Sequence, residues 1–153
     1  MSRIRSRSTG PERAVRLLLR ELGDPSTARP KGLPVEPDIV LPRLRIAVQV
    51  HGCFWHRHAI RDRRCPITYT PKSGRKGRAF WLRKFRENVA RDERTARKLR
   101  RLGWRVITVW ECQLGHPDAV SARLARALRA RGQHDEACAG ARRAALHRRY
   151  DDC

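Results

Sequence analysis

The sequence predicts a single α/β domain. Amphipathic helix patterns alternate with short apolar strand patterns, in the order helix, strand, strand, helix, strand, helix. Glycine or proline bounds most of these segments, and a chain of 153 residues suits one buried core. The domain is predicted to span residues 1–132, followed by a basic tail over 133–153 that is rich in alanine and arginine.

The first helix is predicted from its start and stop signals. Thr9 can cap it, and Glu12 stands where the carboxylate of a capping box would. Pro11 suits the first turn, and Gly23 ends the helix. The proline-rich residues 24–36 then predict an irregular connection.

Two short strands follow, over residues 38–41 and 44–50. Both are mostly apolar and contain β-branched residues, as expected of strands buried in a sheet. If they pair as a hairpin, Asp38 comes close to Val50 and His51.

Residues 56–79 are basic, rich in proline, glycine and serine, and predict a long loop without regular structure. Residues 80–102 carry the strongest helix pattern, and Gly103 follows as a stop. Asp92 falls on the apolar stripe of this helix, so we expect it to face the core or an active site and to need a cationic, imidazole or metal partner. The other members of the stripe are Trp81, Phe85, Val89, Ala96 and Leu99. A third buried strand over 104–110 and a final amphipathic helix over 117–131 complete the pattern.

The charge of the chain indicates a nucleic-acid partner. Lys and Arg number 36 against 15 acidic residues, a net charge of +21, which attracts phosphates whatever their sequence. The alternative is a solvated surface encoded by an arginine-rich genome. The sequence shows neither an apolar run of membrane-spanning length nor a secretory signal, so a cytoplasmic protein is predicted.

Four residues have the composition of a closed tetrahedral zinc site. They are Cys53, His58, Cys65 and Cys112, with His56 as a competing ligand. In the alternative interpretation the cysteines only pack, as free cysteines commonly do. Cys138 and Cys153 lie apart in the tail and are predicted to be incidental.

A second constellation suggests phosphodiester hydrolysis. Asp38 is the best oxygen ligand for a hard cation such as Mg²⁺, and the backbone carbonyl of Val50 can complete the site if the two strands are adjacent. His51 and His56 are placed for proton transfer, and Asp92 can orient one of them. Each residue alone has an ordinary structural explanation, but together they favour a catalytic site.

Aromatic residues beside the cationic loop are candidates for DNA contact. Phe54 and Trp55 can stack on bases or wedge between base pairs, and Trp81 is a weaker candidate. Core packing is the alternative for each of these rings.

These motifs together resemble those of the very short patch repair endonucleases. The resemblance covers about residues 1–130 and includes the N-terminal Met1 to Ser6. Its motifs are Pro37-Asp38, Val50-His51-Gly52-Cys53-Phe54-Trp55-His56, Phe80-Trp81, Asn88-Val89-Ala90-Arg91-Asp92, Leu102-Gly103-Trp104-Arg105-Val106, Val109-Trp110-Glu111-Cys112 and the isolated Glu12.

The resemblance implies a restriction-endonuclease-like fold, related to the PD-(D/E)XK nucleases, with a central mixed β-sheet flanked by helices. It also implies a hydrolase that nicks DNA beside thymine-guanine mismatches left by deamination of 5-methylcytosine. It implies Mg²⁺ on Asp38 and the Val50 carbonyl, and a general base at His56 oriented by Asp92. It places His51 near the phosphate and Glu12 at the metal-water shell. Zinc would lie on Cys53, His58, Cys65 and Cys112, and the intercalating rings would be Phe54, Trp55 and Trp81.

The implied partners are mismatched duplex DNA, MutL-like mismatch-repair proteins and a cognate cytosine-5 methyltransferase system. The implied state is a nucleoid-associated monomer. Two other interpretations stay open: a related nuclease acting on foreign or modified DNA, and a zinc-stabilised DNA-binding module that does not cut. The presence of Asp38, His56 and Asp92 argues against the binding module, which needs none of them.

Overall fold

The structure, a computed structural model, describes residues 9–24, 33–58, 62, 64–66 and 75–130. Most of the predicted connection over 24–36, most of the predicted loop between residues 59 and 74, and the predicted tail over 133–153 with Cys138 and Cys153 lie outside the described residues. The elements are α1 (Gly10–Glu21), β1 (Ile39–Leu41), β2 (Ile46–His51), α2 (Arg75–Arg101), β3 (Arg105–Trp110) and α3 (residues 117–130). This order confirms the predicted α/β class.

The described part of the chain forms a mixed sheet in the order β1-β2-β3. β1 runs antiparallel to β2, with Ile39 opposite Val48, and β2 runs parallel to β3, with His51 opposite Trp110. Because parallel strands end at the same edge, the residues that follow His51 and Trp110 meet there. The predicted hairpin pairing of the first two strands and the mixed sheet are both confirmed.

Helices cover both faces of the sheet. α1 and α3 pack on one face, where their side chains form the larger core cluster with the strands. α2 packs on the other face, where Leu99 joins Val40 and Ala47. Since side chains alternate along a strand, Gln49 and His51 lie on the same face of β2 as Ala47, toward α2. The larger cluster contains Val15, Leu19, Ile39, Leu41, Ile46, Val48, Val109, Val120 and Leu124.

The two predicted helix stops have the same local structure. Gly23 and Gly103 both have left-handed backbone, with φ of 83° and 79°. The N–H groups of Gly103 and Trp104 donate to the carbonyls of Arg100 and Leu99 in the last turn of α2. At the start of α1, the Thr9 hydroxyl accepts from the Glu12 N–H, so the predicted cap is confirmed.

Three predicted details are wrong. α2 begins at Arg75 rather than at residue 80, within the segment predicted to be an irregular loop. β2 begins at Ile46 rather than at residue 44, because Pro42–Leu44 form a 3-10 turn and Arg45 is left-handed. β3 is only partly buried, since it lies at an edge of the described sheet and Val109 is its one fully buried residue. None of the described helices is both long and apolar enough to cross a membrane.

Candidate active site and metal centre

Asp38 lies immediately before β1 and reaches across to β2. Its Oδ2 accepts a hydrogen bond of 2.8 Å from the Val50 N–H, and the Arg16 guanidinium donates to its backbone carbonyl at 2.6 Å. Burial raises the pKa of the Asp38 carboxyl, the Val50 N–H opposes this, and the negative charge of Glu12 raises the pKa further. The charges of His56 and Asp92 also act on this pKa, so all these groups share one electrostatic environment.

The Val50 carbonyl faces the same side as Asp38. In a strand, the N–H and C=O of one residue point toward the same neighbour, and the Val50 N–H is bonded to Asp38. A carboxylate oxygen and a carbonyl oxygen are therefore brought together, with the charge of Glu12 close enough to act on Asp38. This oxygen donor set fits a hard divalent cation.

His56 and Asp92 form a close hydrogen-bonded pair. The His56 Nδ1–H donates to Asp92 Oδ2, and Arg91 contacts the other carboxylate oxygen at 3.4 Å. Burial acts to raise the pKa of the Asp92 carboxyl, but the hydrogen bond and positive charge of His56 outweigh it, and the pKa lies below its ordinary value. In a neutral ring with Nδ1 protonated, Nε2 carries the lone pair, so the pair presents a base at that nitrogen.

His51 lies against this pair. Its Nε2 is 3.9 Å from Asp92 Oδ2, and its ring stacks on that of His56 with centroids 4.2 Å apart and planes 3° from parallel. The donor atoms of His51, His56 and Asp92 lie within 4.8 Å of one another. Imidazole lone pairs lie in the ring plane, so two parallel rings do not aim at one ion, and the arrangement favours hydrogen bonding over metal binding.

The second group of donors fits a metal well. The ligand atoms of Cys53, His58, Cys65 and Cys112 all lie within 4.8 Å of one another. His58 Nδ1 is 3.6 Å from Cys53 Sγ and 3.2 Å from Cys112 Sγ. A tetrahedral zinc ion with Zn–S of about 2.3 Å and Zn–N of about 2.0 Å separates S and N by roughly 3.5 Å. His56, the competing candidate, lies with Asp92 and not in this group.

The ends of two parallel strands hold these donors. Cys53 follows β2 and Cys112 follows β3, where the Cys112 N–H donates to Cys53 Sγ at 3.3 Å. The Glu111 carboxylate accepts from the Cys53 N–H at 3.2 Å, and the His58 ring stacks on Trp110 with centroids 4.1 Å apart. Burial raises the pKa of the Cys53 thiol to about 12, so a thiolate there requires a cation beside it, as a metal supplies.

An aromatic cluster adjoins the histidines. Phe54 is at its centre, with ring centroids 4.8 Å from Trp55, 5.8 Å from Trp81 and 5.4 Å from Phe85. Trp55 is 49% exposed and Phe80, next to Trp81, is 46% exposed. Trp55 and Phe80 therefore present ring surface that is open to a ligand, while Phe85 anchors the cluster to the core.

Besides the aromatic cluster, the structure gathers the sequence-predicted site residues into three groups. They are the oxygen site of Asp38, Val50 and Glu12, the pair His56 and Asp92 with His51, and the donors Cys53, His58, Cys65 and Cys112. Four contributors were given no role from the sequence, namely Arg16 and the motif residues Phe80, Asn88 and Glu111. Asn88 donates to the Trp55 carbonyl at 3.3 Å and lies one turn before Asp92, a spacing that could have indicated it. Arg16 and Glu111 act on backbone groups, for which the sequence carries no signal.

The site is typical of a hydrolase of nucleic acids. It combines an oxygen donor pair with a histidine oriented by an aspartate, in a strongly basic α/β protein.

The sequence model of the family "DNA mismatch endonuclease Vsr" matches residues 1–62. The chain is 43% identical to the type II nicking enzyme V.XorIIP of Xanthomonas oryzae, over 84% of this chain and 88% of that protein. It is 39% identical to the DNA mismatch endonuclease Vsr of Escherichia coli, over 74% and 68% of the two chains, respectively. It is also 36% identical to the type II nicking enzyme V.NmeAIP of Neisseria meningitidis, over 84% and 86%.

The chain belongs to the Vsr endonuclease family. The resemblance to the very short patch repair endonucleases is confirmed, and the protein is a nuclease that acts on DNA.

Proposed function

We propose that this protein is a magnesium-dependent endonuclease that nicks one strand of duplex DNA beside a thymine-guanine mismatch. Such mismatches arise by deamination of 5-methylcytosine, and the nick would initiate very short patch repair. The relatives support nicking and action at mismatches, since one is a DNA mismatch endonuclease and two are nicking enzymes.

The observation that carries the proposal is the hydrogen bond between His56 and Asp92 in the electrostatic environment of Asp38. His56 Nε2 accepts the proton of the attacking water, and Asp92 holds the ring in the required tautomer and stabilises its positive charge. Asp38 and the Val50 carbonyl would hold Mg²⁺, which when bound supplies positive charge against the phosphate in the transition state. Glu12 assists at the water shell of that site, and His51 lies beside the phosphate.

The aromatic cluster supplies the mismatch preference in this proposal. Trp55 and Trp81 offer ring surface at the edge of the cluster, and Phe54 packs between them and the core. Rings inserted between base pairs pay a smaller unstacking cost where the pair is already weakened by a mismatch. Asn88 fixes the backbone of Trp55 from α2, which orients the loop that carries the wedge.

The remaining assignments complete the proposal. The fold would be restriction-endonuclease-like and related to the PD-(D/E)XK nucleases, with the endonuclease domain over residues 1–132. Zinc on Cys53, His58, Cys65 and Cys112 would be structural, since four protein donors leave no open position. A monomer would work with MutL-like repair proteins and a cognate cytosine-5 methyltransferase system.

The test is a nicking assay with Mg²⁺ and a labelled duplex carrying one thymine-guanine pair. A matched duplex, the Asp38→Ala variant and the Asp118→Ala variant, which alters an exposed aspartate of α3, serve as controls. We expect a nick next to the mismatched thymine with the wild type and Asp118→Ala only, and unchanged duplex binding by Asp38→Ala. Cutting of both duplexes would instead support a nuclease of foreign or modified DNA, and binding without any cut would support the DNA-binding module.

A further inference from the structure

A cleft of about 300 Å³ lies between β2 and α2, beside the stacked rings of His51 and His56, which we call the histidine pair. His51 and Asp92 line one part of it, so it opens directly onto the candidate active site. The rest of its wall includes Gln49, Glu93, Arg97 and Arg100. Neither the proposed reaction nor the zinc site uses these four side chains.

Gln49 is the most informative residue of this cleft. It is 5% exposed and lies on the same face of β2 as His51. Within the described ranges its side-chain amide has no hydrogen-bond partner, although the amide lines the cleft. Its polar atoms stay open to the cleft, since Arg123 Nε is the one side-chain N or O atom of the described residues that is both buried and without a partner, so the amide is available to a group that enters the cleft.

The charges of the cleft favour an anion. Arg97 and Arg100 are both exposed and lie three residues apart on α2, so both project from the same side of the helix. The charge of Asp92 is already engaged by His56. Glu93, which has an interaction of its own, is one carboxylate against two guanidinium groups and an amide that can donate.

We infer that this cleft binds a backbone phosphate of the cut DNA strand, adjacent to the scissile phosphate. Gln49, Arg97 and Arg100 donate to its non-bridging oxygens, while the neighbouring phosphate is held beside His51 and His56. The inference rests on the proposed function, which locates the cut at His56. It assigns these three residues to positioning the strand, so that the reacting phosphate is presented in one register.

The experiment scans single methylphosphonate linkages, which are uncharged, along the strand on both sides of the cut. Binding is measured by fluorescence anisotropy without a divalent cation, for the wild type and for the double variant Arg97→Ala/Arg100→Ala. The matched control is Arg94→Ala/Arg101→Ala, which removes the same charge from exposed positions of the same helix outside the cleft. Gln49→Met tests the amide separately.

We expect one methylphosphonate position to weaken wild-type binding by roughly 10-fold or more, as for the loss of a charge-assisted hydrogen-bond set. That position should have no effect on Arg97→Ala/Arg100→Ala, a reduced effect on Gln49→Met and its full effect on the control. If every position weakens all four proteins equally, the inference is wrong. A parallel scan places single abasic sites along the same strand. If the double variant differs from the wild type only in its response to an abasic site, and responds to every methylphosphonate as the wild type does, the cleft binds a base and the inference is also wrong.

The binding scan is independent of catalysis, so the two proposals can fail separately. A coupled position is a methylphosphonate position whose effect on binding disappears in Arg97→Ala/Arg100→Ala. If such a position is found but the protein does not nick, the proposed function is overturned and the phosphate site is kept. Mismatch nicking without a coupled position would keep the function and remove the phosphate site.

Discussion

At the scale of single residues, Asp92 shows how a charged side chain can be placed by an apolar pattern. It occupies a position on the core-facing stripe of α2, where an unpaired carboxylate would be costly. The structure gives it a partner in His56 and leaves 15% of its side chain exposed. The need for a partner was predictable from the sequence, but the choice of His56 over His51 depends on how the turn after β2 folds back.

Replacing the Asp92 carboxylate tests whether it orients His56 for catalysis or only supports the local structure. Asp92→Asn should slow single-turnover nicking by roughly 100-fold or more, because the His56 tautomer and its developing charge lose their support. The double variant Asp92→Asn/His56→Ala should be no slower than His56→Ala alone, since the two residues act as a unit. Asp118→Asn is the matched control. A rate within twofold of the wild type for Asp92→Asn, or additive losses in the double variant, would contradict the assignment.

Two of the residues that were given no role from the sequence were overlooked for the same physical reason. Arg16 donates to the backbone carbonyl of Asp38, and Glu111 accepts from the backbone N–H of Cys53. Every residue offers such backbone groups, so their use leaves no signature in residue types or spacing. Metal-type donors such as Cys53 and His58 were identifiable because few other side chains have their chemistry.

At the scale of elements, α2 is the part of the fold that connects the functional groups. It contributes Asn88 to the aromatic cluster, Asp92 to the histidine pair and Arg97 to the cleft, all from one helix that ends at Gly103. The end of this helix was predicted correctly, because glycine is suited to left-handed backbone. Its start was not, because residues 75–79 contain no apolar residue except alanine and so show no periodicity.

A substitution at Gly103 therefore tests how much the left-handed backbone at the end of α2 contributes to stability. Gly103→Ala should destabilise the protein by about 1–2 kcal/mol, since alanine is strained at a φ of 79°. The added Cβ would lie 3.6 Å from the Arg45 guanidinium, an ordinary contact, so the cost arises in the backbone. Gly10→Ala, at an unstrained and open position, is the control and should change stability by less than about 0.5 kcal/mol. Urea unfolding measures both, and equal values would exclude a special role for the backbone at Gly103.

At the scale of the whole molecule, the parallel pairing of β2 and β3 decides where chemistry can occur. It brings Cys53 and Cys112 together from positions far apart in the chain, and it places the histidine pair next to them. The sequence predicted strands and ligands, but it could not give the register that joins them. That register depends on long-range packing of both sheet faces against helices.

Replacing one of the candidate metal ligands tests whether a metal connects the ends of β2 and β3. If the four-donor group holds zinc as proposed, Cys112→Ser should reduce bound zinc from about one ion per chain to nearly none and lower the Tm by roughly 5 °C or more, because the metal would tie the turn after β2 to the end of β3. Cys138→Ser, a cysteine outside the four-donor group, should keep both values. Atomic spectroscopy after dialysis and thermal unfolding give the two measurements. Full zinc content in Cys112→Ser would remove this residue from the metal site.

In the proposed function, the net charge of +21 and the aromatic cluster would contribute to DNA binding in different ways. Each phosphate neutralised by the protein releases counterions, so log affinity should fall linearly with log salt, with a slope of about −0.9 per contact. Matched and mismatched duplexes present the same phosphates and should share this slope. Discrimination by Trp55 and its neighbours releases no counterions, so the ratio of the two affinities should stay constant as salt rises. Anisotropy titrations between 50 and 200 mM salt, a range over which nonspecific affinity falls by about 1,000-fold or more for six or more contacts, measure both quantities. A ratio that falls toward one with increasing salt would show that mismatch preference depends on phosphate contacts in a distorted backbone, and not on the rings.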